Sequence, residues 1–244
     1  MEGPKKGDTK PWQRKQWCLA TVGAAFVCPM EDVLDLLAEP YDPKRPVVCF
    51  DEQSVQLLAD TRETLPVRPG QPERRDHEYK RQGTTNVFMT VEPLAGWRHV
   101  EVTEQRTKLD FADQMQQLVD VHYPEAECIR VVQDNLNTHA PASLYEAYEP
   151  DEALRILKRL EFHYTPKHAS WLNPAELELS AFTGQCLDRR IPDRGTLSHE
   201  SAAWEESRNQ ERVKIHWRFG VEKARVKLHR LYPELPTKTT ATMY

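Results

Sequence analysis

The chain has 244 residues, 39% of them hydrophobic, with 33 Lys and Arg against 38 Asp and Glu for a formal net charge of −5. That length supports one large domain with appendages, and a mean hydropathy of −0.71 describes a polar surface around a modest core. No apolar run approaches the ~20 residues of a membrane span, and Met1 to Lys10 lacks the apolar stretch of a signal peptide. The five cysteines (18, 28, 49, 128 and 186) show no C-x-x-C spacing, so reduced thiols in a cytoplasmic protein and no zinc site are expected.

In chain order, residues 1–16 are rich in Lys, Gly and Pro and are expected to be poorly ordered. Met30, Val33, Leu34, Leu36 and Leu37 have helical spacing over Glu31–Ala38, and the turn-rich 41–46 stops that helix. Val47 to Asp51 reads as a strand ending in an aspartate. Residues 53–84 are long, charged and proline-bearing, the mark of a structureless functional loop. Thr85–Val91 and Trp97–Thr103 alternate around the turn 92–96 and predict an antiparallel hairpin. Asp110–Tyr123 is the strongest helix, with Phe111, Met115, Leu118 and Val119 on one stripe. The strand 128–133 follows, which requires a parallel crossover.

Ser143–Leu160 divides at Pro150 into two short helices. Glu161–Tyr164 is a last strand, and a helix runs from Asn173 to about Leu187. The tail, 198–231, is charged and helix-prone, with Trp204, Trp217, Phe219 and Leu228 to pack on the body. The sum is an α/β fold, a mixed five-stranded sheet flanked by helices. Its expected divisions are an N-terminal arm and linker helix (1–46), a catalytic domain (47–190) carrying the inserted loop 53–84, and a C-terminal helical tail (191–244).

Three acids stand out. Val131-Val132-Gln133-Asp134 sets an aspartate at the C-terminal edge of a buried strand, where α/β folds put their chemistry. Asp51 repeats the pattern, and Glu176 sits in the first turn of a late helix. Converging from separate elements, these three would hold Mg²⁺, which prefers oxygen ligands, for phosphodiester chemistry on DNA. Plainer readings compete. A strand-end Asp often begins a turn, and Asn173-Pro174-Ala175-Glu176 is also an ordinary helix start. Glu52 and Glu178 are local rivals that pattern alone does not eliminate, although each points away from its neighbour. Asn135 and His139 are candidate hydrogen-bond partners of Asp134, against the commoner turn Asn and surface His. Trp171 is a candidate for stacking on a base, against the commoner rim Trp.

The net acidity argues mildly against a nucleic-acid partner. Yet Arg68, Arg74, Arg75, Lys80 and Arg81 share one stretch, and Lys214, Arg218, Lys223, Arg225, Lys227 and Arg230 crowd the C-terminal region. From charge alone both read as solvated faces.

The stretches Val47–Glu52, Val132–His139 and Phe162–Glu176, with Pro93–Arg98 and Ala224–Pro233, resemble bacterial insertion-sequence transposases of the mariner superfamily. The resemblance covers about Lys10 to Pro233. It implies an RNase H-like, integrase-like catalytic core of the DDE class. Asp51, Asp134 and Glu176 then match the catalytic, metal-binding acids, and Glu178 drops out. It further implies Mg²⁺ or Mn²⁺, cleavage at transposon ends, joining of the freed 3′-OH to target DNA, and action at the bacterial nucleoid. The loop 53–84 matches an insertion used for dimer and DNA contacts, so its five basic residues, with Lys167, His168 and Trp171, become expected DNA contacts. A homodimer is expected. So is a partner chain supplying a helix-turn-helix domain, because this sequence begins after the position where the family carries one. Two alternatives are a remnant that only binds DNA or a partner chain, and a nuclease that cuts without joining. Gly184, inside the last catalytic helix, fits a decayed copy.

Overall fold

The computed structural model describes residues 23–234; the expected poorly ordered arm over 1–16, and Cys18, lie outside them. The first helix, α1 (Ala24–Ala38), buries Phe26, Met30, Val33 and Leu34 at the three-to-four-residue spacing of one helical face. Glu39, in extended conformation before Pro40, ends it. Three strands follow, β1 (Val47–Asp60), β2 (Tyr79–Glu92) and β3 (Trp97–Thr103). Next come α2 (Lys108–Gln117), prolonged by one π turn over Leu118–His122, and β4 (Ile129–Gln133). The short helices α3 (Ala142–Ala147) and α4 (Pro150–Leu157) lead to β5 (Leu160–Tyr164). Beyond them are α5 (Pro174–Gln185), α6 (Arg194–Gln210) and α7 (Val221–Lys227).

The strands form one sheet in the order β3-β2-β1-β4-β5, with β1–β2–β3 antiparallel and β4 and β5 parallel to β1. β4 is buried along its whole length, as a strand covered on both faces must be. Alternation along β1 divides the core. Val48 and Phe50 join Phe88, Phe111, Ile129 and Val131 under α2–α4. Cys49, Val55 and Leu57 join Met89 and Val132 under α1, α5, α6 and the tail, which contributes Trp204 with Trp217, Phe219 and Leu228 packed against it. The tail thus completes the second layer.

Two expectations need correction. Both ends of the segment 53–84 are strand: β1 continues to Asp60 and β2 begins at Tyr79, paired from Gln53↔Val87 to Asp60↔Tyr79. The arm beyond them carries only the bridges Leu65↔Arg74 and Arg68↔Gln71. Its base is fastened by Arg190, whose guanidinium donates to Asp60 (2.7 Å) and to the carbonyls of Glu78 and His77, and by the Leu58 amide donating to the Ile191 carbonyl. It follows also that Asp51 does not end its strand.

The β2–β3 turn is tied to the tail. Gly96 has φ +70, and a Cβ there would meet the Arg212 carbonyl oxygen at 2.5 Å, so only glycine fits. Buried Arg98 donates to the carbonyls of Gly96 and Arg208 and lies 3.4 Å from Glu178, while Asn209 pairs with the Arg98 backbone.

Candidate active site

The sheet places the first two acids. β1 pairs with β4 only through Val47↔Arg130, Val48↔Val131 and Cys49↔Val132. Asp51 and Asp134 each stand two residues beyond that last aligned pair, Asp134 just past the end of β4, so they share a level at one end of the parallel pair; Asp51 lies toward α5 through Asn173, while the Asp134 carboxylate is turned to His139. Beyond Cys49 β1 pairs with no strand on this side, and the Phe50 carbonyl is taken up by Asn173 instead.

The helix brings the third. Asn173 caps α5, its side-chain oxygen accepting from the Ala175 amide at 3.1 Å. Its amide donates to the Phe50 carbonyl (2.8 Å) and, at 3.4 Å, to a carboxylate oxygen of Asp51. One buried side chain therefore fixes the N-terminus of α5 against β1, and Glu176, on the first turn, faces Asp51. Burial, and then the charge of Glu176, push the Asp51 carboxyl up to about 7; Glu52 and Asp134 add to this, opposed by the Glu52 amide. No cation is among these influences.

The rivals are accounted for. Glu178 is buried and takes Arg208 in two bonds, of 2.9 and 2.7 Å, besides Arg98. It locks α5 to β3 and α6 and has no oxygen to spare. Glu52 points to the other face of β1, as strand alternation requires, and meets His139 at 3.1 Å and Arg106 at 3.4 Å. His139 is buried rather than on the surface. Its Nδ1 lies 2.6 Å from Asp134, and its ring packs on Phe50 and Phe111. Burial lowers its pKa, but Asp134 and Glu52 outweigh that and hold it at about 9. Asn135 is exposed and makes no side-chain bond to Asp134 among the described residues.

The expected DNA contacts fall in two groups. Arg68, Arg74, Arg75, Lys80 and Arg81 are all exposed on the β1–β2 arm, Arg75 bonded to Glu73. Lys167, His168 and Trp171 sit on the loop that delivers α5. His168 has φ +65, uncommon for a non-glycine residue, and half-exposed Trp171 meets Phe219 edge-on at 5.9 Å. Sequence reasoning missed the second tie of Asn173 and the Glu52–His139 contact. Asn before Pro announced a cap, but nothing local names the Phe50 carbonyl as the partner of its amide.

Asp134 and Glu176 beside buried Asp51 make an all-oxygen set of the donor chemistry that suits a hard divalent ion. As the side chains stand, one Asp134 oxygen is held by His139, and no three His, Cys, Asp or Glu side chains among the described residues are grouped closely enough to hold an ion together.

A mixed five-stranded sheet in the order β3-β2-β1-β4-β5 with helices on both faces is an RNase H-like fold. The chain belongs to the DDE superfamily endonuclease family, whose sequence model matches residues 46–198. Among solved structures it resembles the Mos1 mariner paired end complex with Mn, at 17% identity and a TM-score of 0.55, covering 92% of this chain and 66% of that one. The Mos1 strand transfer complex gives 17%, 0.55, 93% and 66%, and the Mos1 paired end complex with Mg gives 18%, 0.52, 93% and 68%. This chain therefore spans about two thirds of the length of those transposase chains. No curated protein matches it by sequence. No helix among the described residues is long and apolar enough to cross a membrane.

Proposed function

We propose that the chain is the catalytic domain of a DNA transposase, cutting at transposon ends and joining the freed 3′-OH to target DNA in the cytoplasm, with Asp51, Asp134 and Glu176 as its catalytic acids. One observation carries this: a buried aspartate just beyond the β1–β4 pairing, tied through Asn173 to the helix that presents Glu176, and raised in pKa by burial and then by that glutamate's charge. Asp51, Asp134 and Glu176 would hold Mg²⁺ or Mn²⁺. A bound divalent ion lowers the pKa of its water and stabilises charge on the leaving 3′ oxygen. The residues of the chain do the rest. Asn173 keeps the Asp51 and Glu176 carboxylates in one frame. His139 orients Asp134. Trp171, Lys167 and His168 flank the approach to the strand edge, and Arg68, Arg74, Arg75, Lys80 and Arg81 meet phosphates from the arm. The catalytic domain runs from 47 to 190, between an N-terminal arm and a C-terminal tail. The arm also serves pairing of two chains, and a partner supplies the helix-turn-helix that reads the transposon end.

The experiment uses pre-cut duplex ends and a plasmid target. Wild type joins them with Mg²⁺ or Mn²⁺. Asp134→Asn loses joining by more than about 1000-fold while keeping the wild-type melting temperature. A folded wild type inert with both metals leaves only the DNA-binding remnant. Cutting without joining makes the chain a nuclease.

A further inference from the structure

Residues 212–220 form no helix and no strand, yet they are ordered by alternation. Val213, Ile215, Trp217 and Phe219 turn inward and are partly buried, the last three against the core under α1 and α5. Arg212, Lys214, His216 and Arg218 turn outward and are exposed. The segment is fixed at both ends. Near its start the Ile215 amide donates to the Pro93 carbonyl (2.9 Å), at the end of the sheet away from the acids. At its finish Phe219 meets Trp171, on the loop that delivers Glu176. The outward side chains recur every second residue, roughly 6.6 Å apart, along a line leading to the candidate active site.

The charges are unspent. Arg212, Lys214 and Arg218 make no ion pair among the described residues. Arg212 to Arg230 contains seven Lys and Arg and a single Glu, in a chain whose net charge is −5. A solvated face needs no such segregation, and Arg212 and Lys214, two residues apart, repel one another, with Arg218 four residues further along the same side. A polyanion lying along the row relieves that repulsion.

We propose that this extended segment is a second DNA track, in which Arg212, Lys214 and Arg218 contact the phosphate backbone of the duplex whose strand reaches the site past Trp171. It rests on the transposase reading for the identity of the polyanion, but not on any metal. It adds a surface distinct from the β1–β2 arm. Contacts of this kind position a duplex without reading its sequence.

The test is metal-free binding of full-length protein to a random 30-base-pair duplex across a salt series. The variant Arg212→Gln/Lys214→Gln/Arg218→Gln removes three cations whose side chains make no ion pair or hydrogen bond among the described residues. The control Lys108→Gln/Arg155→Gln/Lys158→Gln removes three from the α2–α4 layer, matching the change in net charge. The expected result is that the first triple lowers the steepness of log K against log salt by about 2 to 3 and weakens binding at least tenfold at low salt, since each neutralised phosphate contributes about 0.9 to the slope. The control should change the slope by less than about 1. Equal slopes for wild type and the first triple, or equal losses in both triples, overturn the proposal. The outcome is independent of chemistry: a wild type that binds through this row yet never cuts ends the transposase reading and leaves the track standing. Cutting with an unaltered slope does the reverse.

Discussion

At the scale of single residues, Asn173 does the most with the fewest atoms. Its oxygen caps α5 and its amide holds β1, so the two functions can be separated. Serine keeps a capping oxygen but has no amide to reach Phe50. Asn173→Ser should therefore leave the melting temperature within a few degrees of wild type while joining falls about 10- to 100-fold, the usual cost of losing a partner that orients a ligating carboxylate. Asn173→Ala should lose about 1 kcal/mol more through the cap. Full activity in the serine variant would refute the positioning role. The acids themselves were visible in the sequence because an Asp after an apolar run and a Glu three residues after an N-cap are local patterns. The choice of Glu176 over Glu178 was not visible in the pattern. It depends on Arg98 and Arg208, whose partner lies in a different layer.

At the scale of elements, α5 and the β1–β2 arm show opposite limits. The period and cap of α5 made its bounds readable to within two residues. Gly184 lies on its exposed side with nothing within 4 Å of an added Cβ. Gly184→Ala should raise the stability by up to about 1 kcal/mol, or roughly 2–4 °C for a domain of this size. A melting temperature that falls instead would mean the helix needs the glycine. The arm was unreadable for a physical reason. Beyond Leu57 its strands pair by backbone alone and cover little core, so the alternation that marks a half-buried strand is missing, and Pro66 and Pro69 look like loop residues.

At the scale of the whole molecule, the joint between β3, the π turn and α6 couples folding to pH. Burial lowers the pKa of His99, but Glu101 and Glu205 overcome it and hold the value at about 9. Its contribution to stability is complete below about 6.5 and is lost as pH rises through about 9. His122, its ring 4.6 Å away, is pushed down to about 4 by burial and then by His99. Its contribution is present above about 6.5 and is lost as pH falls toward 4. Melting temperatures of metal-free wild type and His99→Gln should thus converge between pH 7 and 10, and those of wild type and His122→Gln should diverge below pH 6.5, with the variant the more stable. Parallel curves in both comparisons would show that neither ring is coupled to folding. The three neighbouring strands and the parallel crossover to β4 were readable from the succession of strand and helix, but the joint was not. It brings together residues about a hundred positions apart, and only the finished fold makes them neighbours.

The knot of Gly96, Arg98, Glu178, Arg208 and Arg212 has a bearing on biogenesis. A nascent chain still on the ribosome has made all five strands before Arg208 and Val213 emerge, whose carbonyls accept from the Arg98 guanidinium, and until then that guanidinium lacks these partners. Docking of the Arg98 side chain therefore waits for α6 and the segment that follows it. A chain ending after α5 would hold the whole sheet with the Arg98 side chain lacking its partners on α6 and beyond.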